Sequence, residues 1–221
     1  AELISRQTEG PFADRFFSEE ELKQLRYAGL LHDFGKVGVR EETLVKKKKL
    51  SPVMGARVEA RFQLIRKTFE ADAAEARADA IAEKGREGAA DDLAAIQAKL
   101  EEDLARLERY WAAVQDANVP RVLDEDAAEV LGEIAQQTFV DPDGKEQAYL
   151  TPHELHFLQI RKGSLDENER RQIEAHVVHS YDFLLNIPWT EELARVAEIV
   201  RGHHEKLDGS GYPDGVTGEA L

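Results

Sequence analysis

Ile199–Gly215 reads IVRGHHEKLDGSGYPDG, and the rest of the chain is best read outward from it. His203 and His204 end an amphipathic run, Glu205 follows, and a glycine-rich turn carries Asp208, Gly209, Gly211, Tyr212 and Pro213. Neutral imidazole is the commonest protein ligand for borderline metals near pH 7. Successive helical positions point about 100° apart, so adjacent histidines are poorly placed to chelate one ion and better placed to serve two. A second cluster lies far upstream, Leu30-Leu31-His32-Asp33-Phe34-Gly35-Lys36. It sets imidazole beside carboxylate, with a cation four residues past the histidine. Together the two stretches predict a multi-metal site with a positive side chain next to it.

LLHDFGK followed much later by HHEKLDGSGYPDG resembles the HD-GYP family, a branch of the HD-domain metal-dependent phosphohydrolases. A His-Asp dipeptide alone carries little information; HDxGK is more specific, and HHExxDGxGYP downstream of it is strongly so. The resemblance covers roughly residues 16–50 and 150–221. It implies an all-α HD-domain-like helical bundle, two or three divalent ions, and hydrolysis of cyclic di-GMP by metal-activated water. Carried over residue by residue, the metal ligands are His32, Asp33, His176, His203 and His204. Asp33 and Lys36 take the catalytic roles, with Asp33 able to bridge two ions and Lys36 offsetting phosphate charge. Lys36, Arg161, Lys162, Asp208, Gly211, Tyr212 and Pro213 are the candidate substrate contacts. Glu205 is expected to orient ligands from behind.

Composition narrows the alternatives. The 221 residues carry a formal charge of −15, from 44 acidic and 29 basic side chains. That balance argues against general nucleic-acid binding. Lys46–Lys49 is the local exception, read as a solvated connector, with attraction for an anionic ligand as the second reading. There is no cysteine, so any metal is held by nitrogen and oxygen. Such a donor set suits iron or manganese, with zinc and nickel also compatible, and the resemblance favours the first two. No run of 18 apolar residues and no signal-peptide pattern occurs, which points to a cytoplasmic chain with no membrane segment.

Along the chain, Ser18–Glu21 is a capping-box signature for a helix leading to His32. From Pro52, apolar residues recur at steps of three and four through Met54, Val58, Phe62, Ile65, Phe69 and Ala73. After Gly85 and Gly88 the pattern resumes at Leu93, Ile96, Leu100, Leu104, Leu107, Trp111 and Val114. This predicts an antiparallel helical hairpin over 52–117. The stripes read as core, with homodimer formation through the hairpin as the second reading. A shorter helix is expected at about 124–137. A small β-hairpin around Asp141-Pro142-Asp143-Gly144 pairs 138–140 with 147–150, and a capped helix opens at Thr151. His153 and His156 read as surface or structural. Residues 51–149 are therefore read as an insertion splitting one catalytic domain, 1–50 and 150–221.

A helix is expected to begin near Asp166, and two of its histidines compete for the central ligand position. Relative to the apolar face set by Ile173, Val177, Tyr181 and Leu184, His176 lies about 80° from the centre and His179 about 140°. Alignment with the family also favours His176. A final helix from about Thr190 should deliver His203 and His204.

The family usually draws one more ligand from a helix before HDxGK and an aspartate after the GYP loop. Residues 1–31 hold no histidine, and the sequence stops at Leu221. The expectation is a partial domain, weak in metal and turnover by itself, with a sensory or receiver domain compatible with a longer chain. A degenerate module that binds nucleotide or a signalling partner without turnover is the alternative.

Overall fold

The computed structural model describes residues 1, 3–7, 9, 10, 13 and 16–218. It is helical apart from one two-stranded antiparallel sheet. The chain divides into two compact units, Ala1–Val45 with Glu167–Leu221, and Lys46–Asp166. The divisions fall before Lys46 and after Asp166, so 46–50 and 150–166 pack with the hairpin residues.

In the first unit, α1 spans Glu19–Leu31 and is opened by the full Ser18/Glu21 capping box. After it the chain tightens into a 3₁₀ turn, Phe34–Gly38, and a short α2, Glu41–Leu44. The return segment supplies α7 (Glu167–Glu174), α8 (His176–Leu185) and α9 (Val196–Arg201). Ala28, Leu184, Val196, Ala197 and Val200 are buried together, with Leu31, Tyr181, Trp189 and Ile199 against them. Each fully buried aliphatic side chain contributes roughly 1.5–3 kcal/mol. That core fixes α1 and α8 on α9, which brings the ends carrying the histidines to one place.

Two helix boundaries differ from the sequence reading. The helix through His176 is interrupted at Ala175, although Ala175 N–H still donates to Arg171 O and His179 N–H to Ala175 O. Thr190 precedes only a 3₁₀ turn, Glu191–Leu193, and α9 starts at Val196. Arg195, at φ −88° and ψ 0°, separates the two because ψ near zero lies outside the α-helical well.

In the second unit, α3 (Pro52–Gly88) and α4 (Ala90–Ala117) form the expected hairpin. Cross-pairs Arg66–Glu108, Arg77–Gln97 and Lys84–Asp92 close progressively toward the turn, as an antiparallel register requires. Gly85 takes φ +68°, which breaks the helical repeat just before Ala89. The helix α5 (Glu125–Ala135) is capped by Asp124, and α6 (Pro152–Leu158) by the Thr151/Glu154 box. Strands β1 (Thr138–Val140) and β2 (Glu146–Ala148) pair with Phe139 opposite Gln147, so the second strand lies earlier than 147–150. Val58, Phe62, Ile65, Leu107, Val114, Leu131, Ile134, Leu150 and Leu158 form the centre of this core.

The lysine run is not uniformly solvated. Lys49 is completely buried, and its Nζ donates to Leu158 O at 3.0 Å. Burial, with the nearby positive charge of Arg121, lowers its pKa. The exposed-connector reading therefore fails at Lys49, which tertiary packing buries completely, while Lys46 is half-buried with its Nζ 4.1 Å from the Phe157 ring centroid.

Candidate metal centre

Four imidazoles and one carboxylate meet in the first unit. His32 follows the last residue of α1, Asp33 opens the 3₁₀ turn, and His176 opens α8. His203 and His204 lie just beyond Gly202, where α9 ends. His176, His203 and His204 each offer a ligand atom, and these atoms lie within 4.8 Å of one another. Ring centroids are 5.4 Å apart for His176–His203, 5.2 Å for His176–His204 and 4.3 Å for His203–His204. The His32 ring lies 5.1 Å from that of His203.

Three rings are oriented by one device. His32 Nδ1 faces Gly29 O at 2.8 Å, His176 Nδ1 faces Ile173 O at 2.5 Å, and His203 Nδ1 faces Val200 O at 2.5 Å. A carbonyl oxygen only accepts, so each Nδ1 carries the proton and donates it. In a neutral ring this leaves Nε2 with its lone pair, the form a metal requires. His176 Nε2 and His203 Nε2 are fully buried and make no hydrogen bond among the described residues. Buried polar atoms of this kind are rare unless an ion, a water or a catalytic role accounts for them.

Asp33 faces both ways across the cluster. Its Oδ1 lies 2.8 Å from Lys36 Nζ and 3.3 Å from His176 Nε2, while Oδ2 lies 3.1 Å from His32 Nε2. Burial by itself would raise the pKa of this carboxyl, but the hydrogen bond and charge of Lys36, with the imidazoles of His32 and His176 beside it, outweigh it. The net shift is downward, and Asp33 is ionised at neutral pH. Burial lowers the pKa of His203 and His204, and neighbouring imidazoles push the same way, so both are neutral there. Neutral nitrogens, an anionic oxygen and no sulfur fit divalent iron, manganese, zinc or nickel.

The two competing histidines lie in different surroundings. His176 is 1% exposed and inside the cluster. The exposed His179 instead sets its ring against Gly38. Among the described residues, His153 and His156 stand on α6 against Phe157, with His156 also 3.3 Å from Asp166.

A residue missed in the sequence joins the two halves of the centre. Ser180 is fully buried; its Oγ accepts from Gly35 N–H at 2.8 Å and donates to His32 O at 2.9 Å. Gly35 is packed so closely that a Cβ there would lie 2.0 Å from His176 O and 2.6 Å from Ser180 N. One hydroxyl thus ties the His-Asp segment to the helix of His176. Its only sequence signal is a small hydroxyl residue one turn after His176, on the same side of the helix.

The GYP segment folds back over His204. Glu205 accepts from the amides of Asp214 (2.6 Å), Gly215 (3.0 Å) and Val216 (3.1 Å). Its carboxylate therefore holds the loop together. Arg201 grips Asp214 through two bonds of 2.7 and 2.8 Å. Asp208 Oδ1 accepts from Ser210 N–H, within the turn. A Cβ on Gly211 would come within 2.4 Å of Glu205 Cα, so only glycine permits this approach. Tyr212 stacks on His204, its centroid 4.7 Å away and its plane inclined by 19°, and a cis peptide bond joins it to Pro213. Arg161 and Lys162 are exposed and belong to the second unit.

Two HD domain models match the chain. One HD domain model matches residues 1–116 and another matches residues 148–221. The chain is 43% identical over 61 residues to the 3'3'-cGAMP-specific phosphodiesterase 3 of Vibrio cholerae, covering 28% of this chain and 13% of that protein. It is 39% identical over 62 residues to the cyclic di-GMP phosphodiesterase response regulator RpfG of Xanthomonas campestris, covering 28% of this chain and 16% of that protein. The matched parts are thus a small fraction of both relatives. No solved structure matches. No helix among the described residues is long and apolar enough to cross a membrane. With the first model spanning more than half of its length and both motifs at one centre, the chain belongs to the HD domain family and is of the HD-GYP type.

Proposed function

We propose that this chain is a metal-dependent phosphodiesterase acting on a cyclic dinucleotide, with cyclic di-GMP as the first substrate to test and 3'3'-cGAMP as the second. The observation that carries the proposal is the pair of buried Nε2 atoms on His176 and His203, neither of them hydrogen-bonded among the described residues, beside an ionised Asp33. Divalent ions bound there would polarise a phosphoryl oxygen and activate water for attack on phosphorus. His32, Asp33, His176, His203 and His204 are the ligands, two or three ions are expected, and iron or manganese is favoured over zinc and nickel. Asp33 has one oxygen toward His32 and the other toward His176 and Lys36; its carboxylate would be a ligand shared between ions. Lys36 holds a positive charge beside the centre, suited to offset charge that accumulates on a phosphate. Gly211, Tyr212 and Pro213 supply a wall over His204, and Asp208, Arg161 and Lys162 complete the proposed substrate contacts.

The catalytic part in this reading is split in the sequence and carries the helical hairpin as an insertion. A homodimer through that hairpin is part of the proposal. Two paired helices cover their seam from one side only, and Leu93, Ile96, Leu100 and Leu104 are half-buried while Ile81 is 40% exposed. Cytoplasmic location and a receiver or sensory domain in a longer chain are also part of it.

The test is turnover of cyclic di-GMP and 3'3'-cGAMP by manganese- or iron-loaded protein, with Asp33→Ala alongside. Hydrolysis of either nucleotide that disappears with Asp33→Ala supports the proposal. Nucleotide that binds to metal-loaded protein and is released intact would replace the enzyme with a non-catalytic binding module.

A further inference from the structure

We propose that Tyr212 is a positioning residue for the metal centre, whose ring holds the His204 imidazole in place of the carbonyl bond that orients the other three. The proposal rests on the metal-centre reading above and extends it to the loop.

His32, His176 and His203 each donate Nδ1–H to the carbonyl three residues back. His204 makes no such bond among the described residues; its ring lies flat on Tyr212 instead. The reason is positional. His203 still reaches the last turn of α9, whereas His204 is one residue further beyond Gly202, where the chain has turned away. A flexible imidazole on a turn would lose rotamer freedom on binding an ion, and a ring already stacked has lost it beforehand.

The loop is built to deliver that ring. Tyr212 N–H donates to His204 O at 3.3 Å, so ring and backbone both meet the same residue. The close approach of Gly211 to Glu205 and Lys206 draws the strap down, while the Glu205 carboxylate and Arg201 fix its far side through residues 214–216. Tyr212 is half-buried, and it is the ring face, not the hydroxyl, that meets His204. Each tie serves one end, an aromatic plane laid against the imidazole.

The experiment is Co²⁺ titration of the whole 221-residue chain, read by visible absorption and by calorimetry, for wild type, Tyr212→Phe, Tyr212→Leu, His204→Ala and the Tyr212→Leu/His204→Ala double variant. Tyr212→Phe keeps the ring and should bind within about threefold of wild type, whereas Tyr212→Leu should bind about 10–100-fold more weakly with an altered cobalt band. In the His204→Ala background the leucine substitution should cost nothing further, because Tyr212 acts only through His204. Circular dichroism melting of each metal-free variant separates this from a folding defect, and a cobalt band altered at saturation is a change that mere destabilisation does not produce. Equal loss in Tyr212→Phe, unchanged binding in Tyr212→Leu, or a full leucine penalty without His204 would each overturn the proposal. Wild-type protein that takes up no cobalt would overturn both it and the metal-centre reading.

Discussion

Replacing Ser180 by alanine should loosen the centre without touching any ligand. The Oγ lost is fully buried and makes two bonds, one from Gly35 N–H at 2.8 Å and one to His32 O at 2.9 Å. Stranding a buried amide costs about 1–3 kcal/mol, and the second bond is worth about 1 kcal/mol net. The sum, about 2–4 kcal/mol, is a large share of the roughly 5–15 kcal/mol that holds a domain together. Because the lost bonds fix the backbone of His32 and Gly35, metal affinity should also fall, by about 10–100-fold, the range seen when groups behind ligands are removed. Urea unfolding of the metal-free protein gives the first quantity and Mn²⁺ titration the second. A stability change under about 0.5 kcal/mol together with unaltered affinity would refute the tie between Ser180 and the His-Asp segment.

Three further expectations follow from particular contacts. Glu154 is buried, and Arg61 grips it at 2.6 and 3.1 Å; burial raises its pKa, but Arg61 and the Thr151 amide outweigh this and leave it depressed. Its stabilisation is therefore complete above the ordinary carboxylate value of 4.5 and lost as pH falls through the depressed value, so Glu154→Gln should flatten the acid limb of a stability–pH curve. His203 and His204 have pKa values lowered below 6.5, so the unfolded chain takes protons first, and metal-free protein should lose stability as pH drops below about 6.5. Replacing both with glutamine should remove that part of the slope. Light scattering behind gel filtration should report a dimer for wild type and a monomer for Leu100→Glu; a wild-type monomer at micromolar concentration would dispose of the hairpin interface.

How much of this could be read before folding depends on where the information lies. The candidate site was legible because HDFGK and HHEKLDGSGYP concentrate chemistry-bearing side chains in unbroken stretches. His176 could be separated from His179 because a 100° helical step places only one of them near the apolar face. The hairpin followed from regular spacing, and the caps at Ser18 and Thr151 from four-residue signatures. What escaped depends on contacts between distant residues. Nothing local distinguishes Lys49 from the three lysines before it, yet only Lys49 reaches Leu158 O. Ser180 looks like a weak helix residue until Gly35, 145 positions away, is set against it. The break at Ala175 and the delayed start of α9 leave no mark in composition.

In the proposed centre, Nε2 of His176 and His203 receives a divalent ion while Nδ1 stays protonated against the helix carbonyls. Long-range ¹H–¹⁵N spectra of the histidine rings during Zn²⁺ titration measure this atom by atom. Both Nε2 resonances should move to the metal-bound position, and Nδ1 of His32, His176 and His203 should keep its proton throughout. Nε2 resonances that stay unchanged at saturating zinc, or a metal taken up at Nδ1, would contradict it.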